Sequence, residues 1–262
     1  MLIAHQITHA YTPGTPVLRG ISFSLEQGTI LYLLGRNGCG KTTLMQCLSG
    51  VIQPNGGRVT LDDVDIQHYP AAERARRIGL IPQLHAPAFA YSVREMVLMG
   101  RAPHLGLFGS PSKGDYQIAD EALASVGMIH YSDRPYTQLS GGERQLVLIA
   151  RGLTQQCAVL LMDEPDAHLD LNNQQRVMEI VARLAGKGLS FIISSHVPNN
   201  ALVYANKILL MRHGQALAHG DPAVTLTEPL LSTAYELDAE VIYEQQGDIQ
   251  VARAILPRKY NA

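Results

Sequence analysis

Two stretches of the chain are apolar without interruption and then stop abruptly in polar residues: "ILYLL" at 30–34 and "AVLLM" at 158–162. Runs this short match strands buried on both faces of a sheet, rather than helices. "GISFSLEQG" alternates instead, placing Ile21, Phe23 and Leu25 on one side of a strand that closes at Gly28. "QPNGGRVTL" reads as a turn through Asn55, Gly56 and Gly57 into an outer strand, "RIGLIPQ" as a strand ending at Gln83, and "SFIISSH" as a strand leading to His196. Between these strands the apolar period lengthens to that of a helix. "KTTLMQCLSG" predicts a short helix stopping at Gly50, and "SVREMVLMGR" opens with a Ser92 to Glu95 capping box. "GDYQIADEALASVGM" aligns Ile118, Ala122 and Val126, and "LSGGERQLVLIARGL" aligns Leu146, Ile149, Ala150 and Leu153 behind a Ser140 to Glu143 capping box. A further helix starts at Asp170 and ends at glycines, and "EVIYEQQGDIQVARAIL" predicts a hairpin about Gln246 and Gly247. Strands alternating with helices predict an α/β fold.

Composition fixes the setting. At 262 residues, 46% hydrophobic and 17% charged, the chain can bury a substantial core. No repeat or linker divides it, so 1–262 is expected to be one domain, with a helical subdomain at approximately 86–155 and a terminal hairpin at approximately 239–256. A net charge of −2 leaves no footprint for sequence-blind nucleic-acid binding, and no nucleic acid is expected as a partner. Cys39, Cys47 and Cys157 lack CxxC spacing and the histidines are scattered, which argues against a disulfide framework or a zinc site and fits a reducing cytoplasm. No apolar run approaches the roughly 20 residues of a membrane helix, so any role at a membrane is expected to come through a partner.

The candidate chemistry sits where the apolar runs end. After "ILYLL" comes "GRNGCGKTT", a GxxxxGKT loop of Gly35, Gly40, Lys41 and Thr42 between a strand and a helix. Gly35, Gly38 and Gly40 free the backbone to point N–H groups at a phosphate chain, Lys41 reaches the outer phosphates, and Thr42 is a ligand for Mg²⁺. Asn37, Cys39 and Thr43 complete the nucleotide-binding stretch. This loop alone is equally compatible with a kinase, a GTPase, a motor or a transporter ATPase. A glycine turn without a ligand is the plainer alternative. After "AVLLM" come Asp163, suited to Mg²⁺, and Glu164, placed to polarise water, although an acidic exit from a strand is common without any function. The third feature is the helix tip Ser140, Gly141, Gly142, a second anion site that a plain capping box does not explain.

With these three features in this order, the sequence resembles the ATP-binding cassette (ABC) ATPases over most of its length, with Glu143 where the family usually has glutamine. The resemblance implies a P-loop NTPase core with an antiparallel β subdomain and an inserted α-helical subdomain, and ATP hydrolysis with ATP and Mg²⁺ bound. It assigns Tyr11 to adenine stacking, Gln83 to Mg²⁺ and the attacking water, His196 to the terminal phosphate, and Asp170 to a dimer-interface loop. It also implies a head-to-tail homodimer in which Ser140, Gly141 and Gly142 of each chain close over the ATP of the other. "MGRAPH" at 99–104 is similar to the ATPases of iron-chelate, haem and cobalamin importers, and molybdate importers look alike there. Two permease chains, an external solute-binding protein and a place on the cytoplasmic face of the cell membrane are therefore expected. The alternative is a soluble cassette ATPase without a permease. Two further readings stay open: Cys39, beside Lys41, is either a reactive thiolate or a small residue filling the loop, and Met96, Leu98, Met99, Leu105, Leu107 and Phe108 furnish a permease-docking pocket, although periodicity alone assigns several of them to the core.

Overall fold

The computed structural model describes residues 1–83, 91–106, 109–167, 169–246 and 249–258, and these form two compact units. The fold is α/β: a P-loop NTPase-like core with antiparallel β structure and an inserted helical subdomain.

The first unit comprises residues 1–67 and 192–262. Its antiparallel sheet runs in the order Leu18–Leu25, Leu2–His9, Gly56–Leu61, Val64–Asp65. Ile21, Phe23 and Leu25 are all buried, as the alternation requires, and they share the sheet's inner face with Leu2, Ala4 and Ile7 of the first strand. That first strand escapes a pattern reading because Gln6, at φ 51°, bulges it and shifts its register. The all-apolar strand Ile30–Leu34 is buried at every position and pairs in parallel with Lys207–Arg212. The latter turns back antiparallel as Gln215–Gly220. The helix Lys41–Ser49 follows the strand Ile30–Leu34 across the glycine loop and ends at Gly50, whose φ of 70° is the left-handed stop expected of it. At the carboxyl end of the chain, Ala239–Gln246 and Ile249–Pro257 form an antiparallel hairpin; Gly247, at its predicted turn, lies outside the described residues.

The second unit comprises residues 68–191. Strands Ile78–Ile81 and Val159–Asp163 pair in parallel, the second buried throughout. The first ends two residues short of Gln83 because Pro82 cannot donate to a ladder. Helices Val93–Leu98, Lys113–Ser125 and Gly141–Thr154 pack on one another. Gln145 to Ala150 are all buried while Leu153 is half-exposed, so Gly141–Thr154 is a central helix covered on several sides, not a one-faced one. The same packing assigns Met96 and Leu98 of the docking-pocket set to the core, as periodicity alone allows. Met96 is fully buried and Leu98 nearly so, as core of the helical bundle; Met99 and Leu105 are half-buried, and Leu107 and Phe108 lie outside the described residues.

The "MGRAPH" segment has a structural purpose of its own. Arg101, only 6% exposed, donates to Asp115 at 2.8 Å and to the Thr154 carbonyl at 2.7 Å, while Asp115 caps its own helix through the Ser112 N–H and hydroxyl. One ion pair thereby ties three segments together. The Ser112 hydrogen bonds, with Arg101, hold the Asp115 carboxyl well below the usual carboxylate range. Breaking a buried pair leaves a charge unpaired, so Asp115→Asn is expected to lower the melting midpoint at neutral pH by roughly 5 °C. Because the folded-state pKa is depressed, the stabilisation is present above the ordinary aspartate value of about 4 and fades as pH falls below it. The deficit of the variant should therefore shrink in melts below about pH 4, and a deficit independent of pH would exclude this assignment.

Candidate active site

The phosphate loop lies in the first unit. The helix Lys41–Ser49 begins at Gly40 with no side chain capping it, so its first-turn N–H groups and positive dipole end are offered to an anion. Lys41 is buried, and its ammonium donates to the carbonyls of Gly35 at 2.7 Å and Arg36 at 3.3 Å. Gly35 has no alternative: at φ 149°, an added Cβ would lie 2.4 Å from the Met211 carbonyl oxygen and 2.8 Å from the Cys39 sulfur. An uncapped helix start, a cation at the loop and a glycine-lined cradle suit a phosphate chain with Mg²⁺, for which Thr42 supplies a hydroxyl. Tyr11 is 61% exposed and so is not a core residue. Its hydroxyl lies 3.3 Å from the Thr43 hydroxyl and donates to Gln46 at 3.1 Å, and its ring meets His9 edge-on, so it stands beside the same helix. His196 follows directly on the buried strand Ser190–Ser195.

Cys39 departs from expectation. It is 5% exposed, and burial pushes its thiol up by more than the neighbouring Lys41 draws it down. Sequence proximity to a lysine indicated the weaker of two opposing effects. Cys39 should therefore alkylate slowly at pH 7.5, at about one tenth or less of the rate of an exposed thiol. Peptide mass spectrometry after a timed iodoacetamide exposure checks this, and labelling as fast as free cysteine would contradict it.

The second unit carries the acids and the second helix tip. Asp163 is the last residue of its strand and is 7% exposed. Glu164 follows at φ 46°, a left-handed conformation uncommon outside glycine and found where a surrounding structure imposes strain, often at functional sites. The Gln83 amide donates to the Glu164 carboxylate at 2.9 Å, so the structure brings together two residues separated by 81 positions.

Ser140 caps the helix Gly141–Thr154 with its hydroxyl, and Glu143 accepts in return from the Ser140 N–H at 2.8 Å and hydroxyl at 2.9 Å. Those hydrogen bonds hold the Glu143 carboxyl below its usual range. A Cβ on Gly142 would lie 2.4 Å from the Asn173 side-chain amide. Asn173 in turn donates from its backbone and side chain to Asp170, which caps the helix Leu171–Ala185. The glycine therefore lets the helix tip at Ser140 and the loop at Asp170 sit against each other. His168 lies outside the described residues.

Sequence reading missed one polar cluster altogether. Glu236, at the end of the helix Glu228–Tyr235, binds Arg36 of the phosphate loop together with Arg212 and His213. A histidine-glycine pair closing an apolar run was the available signal for the turn at 213–214, but nothing local ties that turn to Glu236. Among the described residues, no helix is long and apolar enough to cross a membrane.

Residues 18–167 match the family model described as ABC transporter. The molybdate import ATP-binding protein MolC of Haemophilus influenzae is 38% identical over 87% of this chain and 83% of its own length. The hemin import ATP-binding protein HmuV of Rhodococcus jostii is 37% identical over 94% of this chain and 82% of its own. Among solved structures, a metal-chelate type ABC transporter in an inward-facing conformation superposes with a TM-score of 0.86 at 33% identity, covering 99% of this chain and 98% of that one.

Proposed function

This chain belongs to the ABC transporter family, and from that premise we propose that it is the ATP-hydrolysing subunit of an importer whose solute is a metal chelate or an oxyanion. The observation that carries the solute class is likeness over nearly the whole chain, helical insert included, to relatives named for haem and molybdate import and to a metal-chelate type transporter. Family membership carries ATP and Mg²⁺ binding.

The residue roles proposed are those the family resemblance implies, and the chemistry at each position suits them. The loop from Gly35 to Gly40, with Lys41, Thr42 and Thr43, holds the phosphates, and Tyr11 offers a ring to the base. Thr42, Asp163 and Gln83 would hold Mg²⁺, which when bound would neutralise charge on the phosphate oxygens. Glu164, oriented by the Gln83 amide, accepts a proton from water as its oxygen bonds the terminal phosphorus and the bond to the bridging oxygen breaks, releasing ADP and phosphate. His196 donates to the terminal phosphate. Two copies pair head to tail, so Ser140, Gly141 and Gly142 of one chain lend helix-tip N–H groups to the nucleotide of the other, with the Asp170 loop at the dimer contact. Two permease chains hold the pair at the cytoplasmic face of the cell membrane, and a solute-binding protein acts from outside through them.

The test is to tag this chain, solubilise membranes mildly, identify the integral membrane protein that co-purifies, and measure ATP-driven uptake of haem, a ferric chelate and molybdate by vesicles containing the complex. Uptake of one of them supports the proposal. A co-purified exporter, or no membrane partner at all, overturns it.

A further inference from the structure

We propose that Glu236 is a positioning residue for the phosphate loop, holding Arg36 from outside so that the loop is set for nucleotide before nucleotide arrives. The proposal rests on the reading that this loop binds ATP. Glu236 itself lies outside the region 18–167 shared with the family model, and Arg36 lies within it.

The loop needs external support. Gly35, Gly38 and Gly40 all sit at positive φ, and a segment so rich in glycine has many conformations to lose when a ligand orders it. A cavity of about 230 Å³ lies beside the loop, lined by Arg36, Asn37, Arg212, His213 and Glu236 among others. Across it the side chain of Glu236 reaches Arg36. The Glu236 carboxylate takes Arg36 on one oxygen, and on the other it accepts from Arg212 at 3.2 Å and pairs with the His213 ring at 3.1 Å. The Arg212 hydrogen bond and the Arg36 charge keep the Glu236 carboxyl below its ordinary range, consistent with a carboxylate serving several cations.

Both cation groups lead back to the loop. The Arg36 carbonyl accepts from the Cys39 N–H at 3.2 Å and from the Lys41 ammonium at 3.3 Å, so fixing Arg36 fixes the position of Lys41. The turn holding Arg212 and His213 continues to Gly214, whose N–H donates to the Cys39 carbonyl at 3.0 Å. Glu236 thus grips the loop through Arg36 directly and through the 212–214 turn.

The backbone of Glu236 provides an unusually clean test. Its φ of 55° is left-handed, where glycine is at ease and other residues are strained. Glu236→Gly therefore removes the carboxylate while relieving the backbone, and its melting midpoint should stay within a few degrees of the parent. ATP binding should nevertheless weaken about threefold to tenfold, the range for a partly exposed charged network. The KM for ATP should rise by the same factor with kcat nearly unchanged. Arg36→Gln should produce part of the same loss, and the double variant no more than Glu236→Gly alone, because the Arg36 contact is one of the two routes by which Glu236 holds the loop. In about 1 M salt, where exposed charges are screened, parent and variants should converge.

Titration of each purified protein with MgATP by calorimetry reads these outcomes. Unchanged affinity in Glu236→Gly, or additive losses in the double variant, would overturn the inference while leaving ATP binding by the parent intact. A parent chain that binds no ATP removes the nucleotide reading as well, so the two failures are distinct.

Discussion

Glu164→Gln is expected to lower ATP turnover by about 10²-fold to 10⁴-fold, the usual loss on removing a positioned general base, while leaving ATP affinity within a few-fold of the parent. The substitution keeps the shape of the side chain and its reach to the Gln83 amide, which lies 2.9 Å from the carboxylate. What it removes is the negative charge that, in the proposed mechanism, accepts a proton from water. With ATP bound but not consumed, the head-to-tail pair should persist, visible as an ATP-dependent dimer by size-exclusion chromatography. Turnover within a few-fold of the parent would take Glu164 out of this role.

Gly35→Ala is expected to weaken ATP binding by about 100-fold. The added methyl would lie 2.4 Å from the Met211 carbonyl oxygen, and because that atom is backbone at the end of a buried strand, rotation of a side chain cannot relieve the contact. Strain at an unfavourable φ costs about 1–3 kcal/mol and overpacking about 1–3 kcal/mol more, shared between displacing the loop and destabilising the fold. The melting midpoint should fall by about 5–15 °C in parallel. Gly106→Ala is the control, since a methyl there meets nothing within 4 Å. Parent-like ATP binding by Gly35→Ala would mean that the loop does not require its present path.

Legibility in the sequence tracked how local each cause is. The strands at 30–34 and 159–163 were readable because burial on both faces leaves an unbroken apolar run. The caps at Ser92 and Ser140 were readable because the reciprocal hydrogen bonds need a fixed three-residue spacing. The phosphate loop was readable for a similar reason, since its glycines, lysine and threonine all act within eight residues. Effects set by distant neighbours were not. The bulge at Gln6 disguised the first strand, and the apolar character of Met96 and Leu98 is the same whether they face a partner or, as here, the core. The state of Cys39 depends on what covers it more than on the adjacent lysine. The grip of Glu236 on Arg36 joins residues 200 positions apart, a pairing that no motif announces.

The proposed function centres on a composite site, in which the phosphate loop of one copy would be completed by the Ser140 helix tip of another. The most direct measurement mixes two defective chains, Lys41→Ala, which spoils the loop, and Ser140→Arg, which spoils the tip, and follows phosphate release. Each alone should be inactive, since every site in either homodimer contains one damaged half. In the mixture about half of the pairs are heterodimers, each with one intact site, so turnover should return to about one quarter of the parent rate. A mixture as inactive as its components, beside an active parent, would contradict the composite site and place the whole ATPase within a single chain.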